Sequence, residues 1–89
     1  MTAHRILIRH AIEQGYEALV FCAEEGDCLC ERTGDARRII EHAESVECAD
    51  LVFVRFGQPA FGVEIVLDDG RYEICDYSAS IPGSVIQAA

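Results

Sequence analysis

Two alternating apolar runs joined by the dipeptide Asp69-Gly70 constrain the fold of this 89-residue chain more than any other feature. Asp-Gly is typical of a type I′ turn, which needs positive φ at both central residues and joins two antiparallel strands. The side chains that the alternation places on one face are Val63, Ile65, Leu67, Tyr72, Ile74 and Asp76. A two-residue turn pairs Leu67 with Tyr72 and Ile65 with Ile74, which keeps the apolar side chains in register. The sequence therefore predicts a β-hairpin at this point.

The remaining elements alternate between helical and strand patterns. Periodicity and turn residues predict a helix over 4–14, strands over 16–22 and 28–32, a helix from Asp35 to about Ser45, a strand over 51–56 and a turn over 57–59. The order α-β-β-α-β-β-β contains no alternating βαβ series. We therefore expect an α+β fold with two layers, an antiparallel sheet of about five strands with two helices on one face. A chain this short supports one core, so we expect a single domain over 1–89 with a loosely ordered tail over 77–89.

The second face of the predicted sheet is also partly apolar. Leu19 and Phe21 lie on the side of their strand opposite Val20, and the strand over 51–56 is apolar on both sides. An apolar face of this kind is normally covered. The tail, a second copy of the chain or a partner protein can cover it, and we favour a homodimer or a partner.

The net charge of the chain restricts its partners. Sixteen acidic and seven basic side chains give a formal net charge of −9. This charge repels phosphate backbones and anionic lipids, so we expect neither a nucleic acid nor a membrane as direct partner. A basic protein surface is compatible with it, although acidic side chains also serve solubility alone.

The apolar stretches are too short for a membrane or an export signal. The longest, Ala18 to Ala23, has six residues, whereas a transmembrane helix needs roughly 20. The N-terminal apolar stretch over 6–8 is shorter still. Five cysteines are an odd number and do not indicate a disulfide framework. We therefore expect a cytoplasmic protein with reduced thiols.

Three cysteines offer the main chemical alternative. Cys28 and Cys30 are two apart in a predicted strand and so share a face, and a three-residue loop over 24–26 sets Cys22 opposite Cys28. A zinc site normally has four ligands at recognisable spacing, and no spacing in this sequence supplies the fourth. Cysteines in strands more often pack as small hydrophobic residues. We therefore expect no metal and no cofactor.

No catalytic motif is present in the sequence. The histidines, His4, His10 and His42, fall in predicted helices, where an isolated histidine is typically a half-exposed surface residue. Neither a phosphate-binding glycine loop nor a Ser-His-Asp arrangement occurs. We therefore expect that the protein is not an enzyme.

Acidic residues concentrate in two predicted hairpin loops. The candidate binding residues are Glu24, Glu25 and Asp27 in one loop and Asp68 and Asp69 in the other. If the strand order places both loops at one end of the sheet, they form a negative rim that presents carboxylates to a basic groove. The alternative is that they are ordinary solvated turns.

Three segments support a resemblance to a known group of proteins. These are residues 11–16 followed by a strand and an acidic turn, residues 31–35 leading into the second helix, and Asp76-Tyr77-Ser78. Over roughly residues 7–80 the chain resembles small uncharacterised accessory proteins of tailed bacteriophages and prophages. The resemblance implies a bacterial host cytoplasm and an accessory role, which in small acidic phage proteins is often inhibition of host machinery.

Three functions are consistent with these observations. The first is a non-enzymatic binding protein, of phage or prophage origin, that engages or inhibits a bacterial host protein with a basic surface. The second is a structural homodimer or assembly protein that buries its second sheet face against its twin. The third is a metal or redox protein that uses Cys22, Cys28 and Cys30.

Overall fold

A five-stranded sheet and three helices make up the structure, a computed structural model that describes residues 2–86. The elements are α1 (Ala3–Glu13), β1 (Glu17–Cys22), β2 (Cys28–Thr33), α2 (Ala36–Ala43), β3 (Cys48–Arg55), β4 (Gln58–Asp68), β5 (Arg71–Tyr77) and α3 (Gly83–Ile86). Within the described residues, none of the helices is long and apolar enough to cross a membrane.

The strands lie in the order β2-β1-β3-β4-β5, and every neighbouring pair is antiparallel. Helices α1 and α2 cover one face of this sheet and contact each other. The predicted α+β class, the order of the first seven elements and the antiparallel sheet are thereby confirmed. The short helix α3 is an addition that the sequence pattern did not predict.

The hydrophobic core lies between the sheet and the two longer helices. Leu7, Ile8 and Ala11 of α1 and Ile39, Ile40 and Ala43 of α2 are buried against alternate residues of the strands. Three aromatic rings pack together in this core. Phe53 stacks on Phe61 with ring centroids 4.8 Å apart, and Tyr16 meets Phe61 edge-on at 5.1 Å. Such pairs stabilise the fold beyond the burial of their area.

The last hairpin has the turn and the pairing predicted from the sequence. Asp69 and Gly70 have φ of 51° and 78°, the positive values that a type I′ turn requires. Leu67 pairs with Tyr72, and Ile65 pairs with Ile74.

Further along this hairpin, a β-bulge shows that the predicted position of Asp76 on the core face is wrong. The register shifts at Cys75, so that Asp76 pairs with Glu64 instead of following Ile74 on the core face. A bulge inserts one residue and moves the next side chain to the other face. Asp76 therefore belongs to the second face of the sheet.

The turn before β4 is shorter than the predicted turn over 57–59. Strand β4 begins at Gln58, which pairs with Arg55, and the next pair is Phe53 with Phe61. Pro59 falls in the irregularity between these pairs, where no ladder hydrogen bond requires its missing N–H.

The tail that we expected to be loosely ordered over 77–89 makes specific contacts as far as it is described. Tyr77 belongs to β5, and the Ser78 amide donates to the Gly62 carbonyl at 2.9 Å. Val85 is fully buried in the core, and α3 packs against α1. Residues 87–89 lie outside the described residues. The tail as described therefore packs on the helical side and leaves the second face of the sheet uncovered.

Candidate protein-binding surface

The two predicted acidic loops lie at the same end of the sheet. Cys22 at the end of β1 pairs with Ala49 near the start of β3, and Cys48 pairs with Val66 near the end of β4. The β1–β2 connection and the β4–β5 turn therefore leave the sheet in the same direction. With a strand spacing of about 4.8 Å, the two hairpin tips are about 14 Å apart across β3.

Glu47 lies between these two tips. The Ala23 amide donates to the Cys48 carbonyl at 3.0 Å, and the Leu67 amide donates to the Glu47 carbonyl at 2.7 Å. These bonds tie the start of β3 to both hairpins. A depression of about 190 Å³ here is lined by Cys22, Glu24, Glu25, Val46, Glu47 and Cys48. Glu47 could not be predicted from the sequence to lie here, because its position depends on the strand order.

We call this surface the acidic end. Its six exposed carboxylates are Glu24, Glu25, Asp27, Glu47, Asp68 and Asp69. Arg71, which pairs with Asp68 across the hairpin, is the one exposed guanidinium that the described strands place beside them. None of the six carboxylates belongs to an ion pair within residues 2–86. The strand order thus places both acidic loops at one end of the sheet, as a negative rim requires.

A second group of carboxylates lies on the uncovered face of the sheet, away from the acidic end. Asp50 of β3 pairs with Glu64 of β4, which pairs in turn with Asp76 of β5. They surround a shallow depression of about 360 Å³ that also includes Gly62 and Val52. We call it the Gly62 depression. No pattern in the sequence indicates this depression, because the bulge at Cys75 decides where Asp76 lies.

The Glu64 carboxylate affects two neighbouring groups in the Gly62 depression, Asp50 and Cys75. Burial and the adjacent Glu64 carboxylate raise the pKa of Asp50. The Cys75 thiol donates to Glu64 Oε1 at 3.0 Å, and burial together with this carboxylate raises the pKa of Cys75 to about 11. No arginine or histidine pairs with these carboxylates within the described residues. Their negative charge is therefore not compensated by a cation of the described chain.

A third polar cluster joins the helices to β5. Glu44 accepts from Arg5 Nε at 2.7 Å, from Arg5 Nη2 at 2.6 Å and from His4 Nε2 at 2.6 Å. These interactions, the Arg5 hydrogen bonds first, lower the pKa of Glu44 from 4.5 to about 2. The Tyr72 hydroxyl is 2.9 Å from the Glu44 carbonyl and 2.8 Å from the Val46 carbonyl. The cluster therefore clamps α1, the end of α2 and β5 together.

His4 in this cluster corrects the expectation of a half-exposed surface histidine. Its side chain is 2% exposed, and its ring lies 5.6 Å from that of Tyr72. A buried polar side chain is accommodated where a partner is present, and Glu44, 40 residues later in the chain, is that partner.

The cysteines do not adopt the predicted arrangement. A bulge pairs Phe21 with Cys28 but Val20 with Cys30, so Cys28 and Cys30 lie on opposite faces and Cys22 is not opposite Cys28. Burial raises the pKa of the Cys30 thiol, which disfavours the reactive thiolate. Residues 2–86 contain no group of three or more histidine, cysteine or carboxylate side chains suited to hold a metal ion.

The structure thus brings together the five residues predicted from the two acidic loops and adds Glu47 to them. Glu73, which pairs with Val66, lies close to this end of the sheet, and Glu64 lies farther along the sheet in the Gly62 depression. Comparisons of the chain with models of protein families, with curated proteins and with solved structures found no match.

Proposed function

We propose that this protein is a non-enzymatic binding protein whose acidic end docks on a basic surface of another protein. The observation that carries the proposal is that both acidic hairpin tips and Glu47 lie at one end of the sheet. The resemblance to accessory proteins of phages and prophages supports a bacterial host protein as the partner and its inhibition as the outcome.

The electrostatics of the acidic end favour binding over catalysis. Its carboxylates are exposed and lack ion-pair partners within residues 2–86. Exposed charges of one sign accelerate encounter with an oppositely charged surface, and they disfavour partners of like charge. The same charges are screened over about 8–10 Å at physiological ionic strength. Binding through the acidic end is therefore expected to weaken as salt is added.

Neutralising part of the acidic end tests the proposal. The test variant carries Glu24→Gln, Glu25→Gln and Asp68→Asn. Asp69 is left intact because it occupies the left-handed position of the turn. The matched control, which removes three exposed carboxylates elsewhere, carries Glu13→Gln, Glu31→Gln and Glu41→Gln. Both variants have the same net charge, so a difference between them reports position and not total charge.

The assay is a tagged pull-down from bacterial lysate at low and high salt, read by mass spectrometry. We expect one partner in near-stoichiometric amount with the wild type and with the control, lost at high salt and lost in the test variant. Equal retention by the two variants would show that the acidic end is not the contact.

Carbodiimide cross-linking then locates the contact. The reagent joins a carboxylate to an amine, and all seven basic side chains of this chain are arginine. Cross-links from its carboxylates to lysine must therefore lead to the partner. We expect them from the acidic end, and cross-links confined to α1 or α2 would contradict the proposal.

A further inference from the structure

Within residues 2–86, neither the backbone conformation nor the packing requires glycine at position 62. Its φ is not in the left-handed region, and it pairs with Val52 in regular register. A Cβ built there meets only the Leu51 carbonyl oxygen, at 3.7 Å, which is ordinary contact. Glycine in the interior of a strand weakens the strand, and it often marks a place where a ligand or another backbone approaches closely. The missing side chain leaves the floor of the Gly62 depression open.

The surroundings of the Gly62 depression define what fits in it. Asp50, Glu64 and Asp76 line it, and no cation of the described chain pairs with them. The carboxylates are not arranged as a metal site within residues 2–86. Half-buried apolar side chains extend the same face on both sides; they are Leu19, Phe21, Val52, Val54 and Val66. A cationic side chain flanked by apolar ones is complementary to this combination.

A second copy of the chain is a poor match for the same face. If two copies packed face to face, their interface would contain the carboxylates of Asp50 and Glu64 from both copies. Burying unpaired like charges is strongly unfavourable. Burial first, and then the neighbouring Glu64 carboxylate, already raise the pKa of Asp50 within one chain. Charge complementarity therefore favours a basic partner over a homodimer on this face.

We propose that the uncovered sheet face docks a basic partner protein by taking one of its arginine or lysine side chains into the Gly62 depression. The guanidinium or ammonium group lies between the carboxylates of Asp50, Glu64 and Asp76, and apolar side chains of the partner cover Val52 and its neighbours. This inference shares with the proposed function only the basic character of the partner. It is tested with a defined peptide, so either proposal can fail alone.

The probe is the peptide acetyl-Val-Arg-Val-amide, titrated into the full ¹⁵N-labelled chain at pH 7. Its neutral control is the same peptide with citrulline in place of arginine, which has nearly the same shape without the charge. We expect saturable shifts of the Val52, Gly62, Glu64 and Asp76 amides with the arginine peptide, and at least about tenfold weaker binding of the citrulline peptide.

Three variants test the two parts of the site, its open space and its negative charge. Gly62→Val fills the depression, and we expect it to remove the peptide-induced shifts. Because valine suits a strand better than glycine, this variant keeps or raises the thermal midpoint. We expect Gly62→Ala to weaken peptide binding to an intermediate degree. The double variant Asp50→Asn with Glu64→Gln removes charge without filling space, and we expect binding about tenfold weaker. Glu31→Gln, away from the depression, leaves the titration unchanged.

Three results would overturn the inference. One is an arginine-peptide titration that Gly62→Val does not alter. Another is shifts confined to the acidic end, which would leave the proposed function standing alone. The third is a wild-type dimer in sedimentation at pH 7 that Gly62→Val dissociates, because a second copy would then cover the face.

Discussion

Replacing Glu44 with glutamine is expected to lower the free energy of unfolding by about 2 kcal/mol. The carboxylate accepts three hydrogen bonds from Arg5 and His4, between 2.6 and 2.7 Å long. Its pKa falls from 4.5 to about 2, which at ~1.4 kcal/mol per unit corresponds to about 3 kcal/mol. Arg5 is 44% exposed, and solvent screens its share, which reduces the expected value. Glutamine keeps the shape of the side chain but removes the charge.

Urea unfolding followed by circular dichroism at pH 7 measures this loss. With a slope of about 1 kcal/mol per molar urea for a domain of this size, the midpoint of Glu44→Gln falls by about 2 M. Glu41→Gln is the matched control, because Glu41 lies in the same helix, is exposed and forms no ion pair within residues 2–86. Coincident midpoints for the two variants would refute the clamp.

The pH dependence of stability follows from the same carboxylate. Because the folded state lowers the pKa of Glu44, it stabilises the protein fully above pH 4.5 and progressively less as the pH falls from 4.5 towards about 2. We therefore expect the wild-type urea midpoint to fall over this window. The midpoint of Glu44→Gln should fall less steeply over the same window, and parallel curves would contradict the assignment.

Three further predictions concern single positions. Gly70→Ala places a side chain at φ 78° and is expected to lower the free energy of unfolding by about 1 kcal/mol, measured by thermal unfolding. Asp35→Ala removes the acceptor of the Arg37 amide, 3.0 Å away, and is expected to cost about 1 kcal/mol in the same assay; an unchanged midpoint would rule out a capping role. Cys75, with its pKa raised to about 11, is expected to react slowly with iodoacetamide at pH 8 and faster in Glu64→Gln, followed by mass spectrometry.

The structural features that depend only on neighbouring residues could be predicted from the sequence. The Asp69-Gly70 turn determined the pairing of its strands, because only positive φ at both positions closes a two-residue hairpin. The start of the second helix at Asp35, whose side chain caps it, likewise follows from neighbouring residues alone. These features required no knowledge of the rest of the fold.

The features that could not be predicted from the sequence depend on contacts between distant segments of the chain. The bulge at Cys75 moves Asp76 to the other face, and the bulge in β2 separates Cys28 from Cys30. A bulge has no clear signature in an alternating pattern, and it shifts every side chain after it. His4 shares the buried side of α1 with Leu7 and Ile8, three and four residues later. Its partner Glu44 lies 40 residues away in the chain, and periodicity within α1 does not reveal that pairing.

The arginine side chains are distributed unevenly between the helices and the sheet. Four of its seven basic side chains, Arg5, Arg9, Arg37 and Arg38, are exposed on the two longer helices. The other three, Arg32, Arg55 and Arg71, lie on the sheet together with the acidic end and the Gly62 depression, and Arg32 is engaged by Glu17 at 2.8 Å. The sheet side is therefore more negative than the net charge alone implies, and the helical side is less so. A basic partner is consequently steered towards the sheet, where both proposed contacts lie.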